Sequence, residues 1–136
     1  MIGSGDAGIY ALATLVFELV DIEYRDTWNR IDILIEPGVS AFQAAASRAG
    51  SPIGHDFCSI SLSDLLTPWE QIEQRVVSAA RGYFVVAFYN TVSERRSTKL
   101  GRARTILLTY RSKETPVVLT RHIDRVKELS SIKNGR

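Results

Sequence analysis

The chain holds one cysteine, one methionine and two histidines among 136 residues, and each scarcity removes a class of chemistry. With Cys58 as the sole thiol there is no intrachain disulfide and no cysteine-based zinc site. His55 and His122 lack any Asp, Glu or Cys cluster at metal-ligand spacing, so no metal site is expected. His55 beside Asp56 reads as a hydrogen-bonded linker pair rather than a catalytic dyad, and Cys58 as an inert core thiol. No apolar run approaches the roughly 20 residues that a membrane-spanning helix needs. With no leader-like pattern behind Met1, a cytoplasmic location and no membrane partner are expected. Strong charge of one sign is missing too, the formal net charge being only +2. The exception is local: Arg95, Arg96, Lys99, Arg102, Arg104, Arg111 and Lys113 follow one another without an intervening acid. Such a stripe can attract a polyanion, but a solvated helix face produces the same pattern, and no nucleic-acid partner is expected.

What is present is the composition of a globular domain, with 45% hydrophobic and 24% charged residues. IYALATLVFELV, from Ile9 to Val20, is apolar on nearly every side and predicts a largely buried helix, started by Asp6, Ala7 and Gly8. Ile31, Ile33 and Ile35 alternate and predict a short strand. Pro37-Gly38 stops it, and Ser40 is placed to cap a helix over 41–49 that ends at Gly50. SPIGHDF reads as a linker at 51–57, dividing an N-terminal part, 1–50, from a C-terminal part, 58–136. There, CSISLSD predicts a strand, and Thr67-Pro68-Trp69-Glu70 a capping box opening a helix that ends at Gly82. YFVVAFYN reads as a strand covered on both faces. A helix carrying Leu100, Ala103, Leu107 and Tyr110 and a strand PVVLT complete a β-α-β-α-β order, predicting a parallel or mixed sheet.

Ligands of α/β sheets lie beyond the carboxyl ends of the strands. Four loops qualify: 4–9, 37–41, 89–96 and 120–124. They carry small residues, hydroxyls, an amide, a carboxylate and arginines, which suits a polar cofactor or an anionic substrate. No nucleophile-and-base constellation is visible. Ser4-Gly5-Asp6 lacks the Gly-Lys-Ser/Thr ending of a P-loop, which argues against nucleotide hydrolysis.

Three stretches, SGDAGIYALA, EPGVSAFQAAASRAGSPIGHDFCSISLSDLLTPWE and FVVAFYNTVSERR, closely resemble in order and spacing the precorrin-3B C(17)-methyltransferases of the tetrapyrrole methylase family. The resemblance implies an α/β fold of two domains, both incomplete here, with a cleft between them. It implies S-adenosyl-L-methionine as cofactor and a precorrin or cobalt-precorrin tetrapyrrole as substrate, methylated on a ring carbon with contraction of the macrocycle in cobalamin synthesis. Positioning dominates such a reaction, so no catalytic residue is assigned. By position the cofactor residues would be Gly5, Asp6 and Ile9, then Ser40 and Ala41 after Pro37-Gly38, then Phe88, Tyr89 and Asn90. Arg95 and Arg96 would meet substrate carboxylates. The chain departs from the family pattern in three places. The strand and GxGxG-type loop that open family members are absent, Asn90 is followed by Thr91 rather than proline, and the tail stops before the family's last strands. Beside an enzyme, the sequence therefore allows a catalytically inactive or partner-dependent chain that forms a homodimer or joins a complementing chain.

Overall fold

The computed structural model describes residues 5–91, 97–123 and 129–134. The chain divides into two compact units, Met1–Ala44 and Ala45–Arg136, a division that falls ahead of the expected linker at 51–57.

In the first unit, helix α1 spans Leu12–Glu23, later than the apolar run suggests. Its N-cap is Ala11, with no side-chain cap, so Asp6-Ala7-Gly8 do not open it. The Ala13 N–H instead reaches back to the Ala7 carbonyl at 3.0 Å. The helix stops where Tyr24 turns left-handed at φ 43° and donates its N–H to the Val20 carbonyl. Residues 31–39 are not a strand, contrary to the alternation of Ile31, Ile33 and Ile35. An isolated strand leaves its N–H and C=O groups without a ladder, and among the described residues none lies beside this one. Helix α2, Ala41–Arg48, begins where expected in the first unit, and its last four residues count with the second. It ends in a Schellman turn: the Ser51 N–H donates to the Ala46 carbonyl at 2.9 Å while Gly50 takes φ +78°.

The second unit is built on β1, Phe57–Ser61, and β2, Val85–Tyr89, paired in parallel with Phe57 opposite Val85 and Ser61 opposite Tyr89. Helix α3, Trp69–Arg81, connects them and packs on β1 and on α4, Ser97–Tyr110. Ile60, Leu62, Trp69, Ile72, Val76, Ala79 and Ala103 form the buried core, with Leu100, Ile106 and Leu107 of α4 against it. Tyr110, expected on that face, is 40% exposed. Residues of β2 are half-buried throughout rather than covered on both faces.

The N-terminus of α3 corrects a second expectation. Pro68 is the N-cap itself, extended at ψ 143°, with no side-chain cap; the helix starts one residue late and leaves Thr67 outside it. Glu70 still lies in the first turn, where the macrodipole favours a carboxylate. At the other end the left-handed position falls to Tyr83, φ 58°, not to Gly82. The Phe84 N–H returns to the Ala79 carbonyl, and a Cβ on Gly82 would lie 2.6 Å from the Phe84 ring.

PVVLT is a strand, β3, Pro116–Arg121, but it does not join β1 and β2. It pairs antiparallel with β4, Leu129–Asn134, so the tail contributes a strand of its own. Thr120 and Arg121 of the 120–124 segment thus belong to a strand of an antiparallel pair, and Asp124 lies outside the described residues.

Candidate functional site

The two glycine turns of the first unit meet. Asp6, half-buried, accepts the Gly8 N–H through Oδ1 at 2.8 Å and the Gly38 N–H through Oδ2 at 3.1 Å, the second bond spanning 32 positions. Gly5 takes φ +85°, open to glycine without strain. Its carbonyl approaches Gly38 so closely that a Cβ on Gly38 would sit 2.2 Å from the oxygen. Two positions on, Ser40 is buried, 3% exposed, at the head of α2. The Gln43 Oε1 accepts both the Ser40 N–H and the Ser40 hydroxyl, each at 2.9 Å. This is one half of a capping box, with glutamine at the third helical position reaching back to the cap residue. Ala41 is exposed at the first position of α2, and Ile9 is half-buried. Of the expected residues, Gly5, Asp6 and the turn that leads to Ser40 and Ala41 are thus brought together; Ser4 lies outside the described residues.

In the second unit, Phe88 and Tyr89 close β2, and Asn90 follows in the left-handed region at φ 54°. Asparagine tolerates that conformation better than most side chains. A proline at 91 would push residue 90 toward extended backbone, so Thr91 is compatible with the turn seen here. The Asn90 Nδ2 donates to the Ser61 hydroxyl at 3.0 Å, the Ser63 N–H donates to the same oxygen, and the Leu62 N–H donates to the Tyr89 carbonyl. Parallel pairing sets both carboxyl ends side by side, which is why Ser61 belongs with Tyr89 and Asn90. Sequence reasoning missed Ser61; its signal is the β1–β2 register. Arg95 and Arg96 lie outside the described residues.

Among the described residues of the basic stripe, Lys99, Arg102 and Arg111 are engaged inside the second unit. Lys99 pairs with Asp64, and the Arg102 guanidinium lies 4.5 Å from the centre of the Trp69 ring and 3.5 Å from Glu73. Arg111 donates to the Ala79 carbonyl at 3.2 Å and to the Phe84 carbonyl, tying the end of α4 to the turn between α3 and β2. An open groove of about 690 Å³ runs between β1 and α3, lined by Cys58, Ser59, Gln71, Gln74, Arg75 and Ser78 among others. It includes none of the expected site residues. Burial pushes the Cys58 thiol above its ordinary pKa, with the Arg111 charge opposing in part. Among the described residues no group of three or more His, Cys, Asp or Glu could hold a metal, and no helix is long and apolar enough to cross a membrane.

Glycine turns joined through a carboxylate, and separately a parallel strand pair that ends at an amide, are the features of an α/β chain. Residues 1–128 match the Tetrapyrrole (Corrin/Porphyrin) Methylases, and the chain belongs to that family. It is 48% identical over 128 residues to the "Probable cobalt-factor III C(17)-methyltransferase" of Salmonella typhimurium, covering 94% of this chain and 52% of that one. Against the "Precorrin-3B C(17)-methyltransferase" of Sinorhizobium sp it is 42% identical, over 94% of this chain and 50% of the relative. The solved "Crystal structure of the methyltransferase CobJ" superposes with a TM-score of 0.90 at 38% identity, over 98% of this chain and 55% of that one. The chain spans about half the length of these relatives. Tetrapyrrole methylases use S-adenosylmethionine as methyl donor.

Proposed function

We propose that the chain serves S-adenosyl-L-methionine-dependent C-methylation of a precorrin-3B or cobalt-factor III type tetrapyrrole, with ring contraction, in cobalamin synthesis. One observation carries this reading: the turns at 5–9 and 37–41, which the family pattern assigns to the cofactor, are joined by a bond between Asp6 and Gly38 across 32 positions. The residues fit such a cofactor. The Gly5–Gly38 approach leaves no room for a Cβ, so the turns offer backbone edges rather than side chains to a ligand with carboxylate, ammonium and hydroxyl groups. When bound, the sulfonium supplies an activated methyl group, and what remains for the protein is placement. In this reading Gly5, Asp6, Ile9, Ser40 and Ala41 form one part of the cofactor surface and Phe88, Tyr89 and Asn90 another. Ser61 holds Asn90 in its turn, and Arg95 and Arg96 receive the acidic side chains of the macrocycle.

Calorimetric titration with S-adenosylhomocysteine tests the cofactor reading. Saturable heat supports it, and none at millimolar ligand overturns it for this chain. A second reading, a partner-dependent chain acting as a homodimer or with a complementing chain, is favoured by the exposure of Ile22 at 77% and Leu34 at 79%. A strictly monomeric, fully active chain in light scattering and turnover would remove it.

A further inference from the structure

The two acceptor atoms of Asp6 each hold a backbone N–H, one local and one distant. Bonds from an amide to an ionised carboxylate are among the stronger hydrogen bonds available to a chain. Beside them, a Cβ on Gly38 would stand 2.2 Å from the Gly5 carbonyl oxygen and 3.2 Å from the Asp6 Cα, and one on Gly8 would stand 3.3 Å from Asp6 Oδ1. The junction is thus shaped on one side by a charge and on the other by the lack of side chains.

We propose that Asp6 is a positioning residue: its carboxylate fastens the 5–9 turn to the 37–40 turn, so that the two present one continuous backbone cradle. It acts on cofactor affinity through that fastening. The inference rests on the cofactor reading above. The fastening also sets the entry to α2, because Gly38 is fixed two positions before the buried Ser40 and its Gln43 cap.

The test is a double-mutant cycle on the full 136-residue chain, read in two ways. Asp6→Asn leaves one acceptor oxygen and sets an NH2 group against the other amide. Gly38→Ala opens the same junction without altering the carboxylate. Each single change is expected to weaken S-adenosylhomocysteine binding by about tenfold, and the pair together by about the same factor, because both break one device. Gly54→Ala, at a site with open space around it, serves as the control and is expected to stay within about twofold. A multiplicative loss in the double variant, near a hundredfold, overturns the proposal in favour of direct contact. The second readout needs no ligand. In amide spectra Asp6→Asn is expected to displace the Gly8 and Gly38 signals together and to speed their exchange by about tenfold. Gly38→Ala is expected to displace the residue-38 amide while that of Gly8 stays, a pattern that general unfolding of the unit cannot produce. Unmoved Gly38 in Asp6→Asn overturns the fastening. If the unaltered chain binds no S-adenosylhomocysteine, the cofactor reading fails, and the amide readout still decides the fastening.

Discussion

In the second unit Leu62, Ile72 and Val76 are wholly buried, and Leu62 forms one cluster with six residues of β1, α3 and α4. In the first, Ala13 is the one described hydrophobic side chain below a tenth exposed, while Leu15, Phe17, Leu19, Ile31 and Leu34 all stand more than 40% open. Burial of each large aliphatic group contributes about 1.5–3 kcal/mol, so cohesion in the second unit is mainly hydrophobic. The first unit takes its local form from directed bonds: the Asp6 carboxylate to two amides and the Gln43 amide to Ser40. Hydrophobic contact is non-directional, whereas a carboxylate bonded to the amides of two turns constrains distance and angle together. The contrast suits a protein in which one part supplies stability and another supplies placement.

That contrast can be broken by measurement. Ile72→Ala is expected to cost about 2–5 kcal/mol in urea unfolding of the second unit, and a loss below about 1 kcal/mol would show that its core does not carry it. Arg111→Met removes the donors to the Ala79 and Phe84 carbonyls and is expected to cost about 1–3 kcal/mol by the same method. The same change should push the Cys58 thiol further up, because the opposing charge is gone. In the unaltered chain, alkylation of Cys58 should reach its midpoint at a higher pH than that of a free thiol. Between the ordinary thiol value and the raised one, the folded state keeps a proton that the unfolded chain releases. Stability is therefore complete below that window and falls slightly as pH rises through it. A midpoint at the ordinary thiol value would show that Cys58 is open to water. At the small end, Leu34→Ser in the first unit should change stability by less than about 0.5 kcal/mol; a loss of 2 kcal/mol would reveal that Leu34 is covered in solution.

Elements with a strong local pattern were legible in the sequence. The apolar face of 69–81, the run from Val85 to Tyr89 and the small-residue helix after Ser40 all appear near their expected places. What failed depended on partners. Ile31, Ile33 and Ile35 alternate as a strand does, but alternation describes a face and not a neighbour to bond with. The Thr67 capping box failed because the motif does not say whether the proline is the first helical residue or the cap. PVVLT was recognised as a strand, but its pairing with 129–134 was not, since a tail of LSSIKN carries little hydrophobic signal. The glycine turns were recognisable by composition and family resemblance. Their union through Asp6 was not, because a hydrogen bond over 32 positions leaves no trace in local spacing.

The close approach of Gly38 to the Gly5 carbonyl carries a consequence for heredity. Gly38 is exposed, and exposed positions ordinarily accept most substitutions. Here every amino-acid replacement adds a Cβ where a carbonyl oxygen already stands, so each missense change at this codon meets the same obstacle. In a mutational scan the position would rank with the wholly buried Ile72, although water reaches one and not the other. At this turn, accessibility to solvent and freedom to vary have come apart.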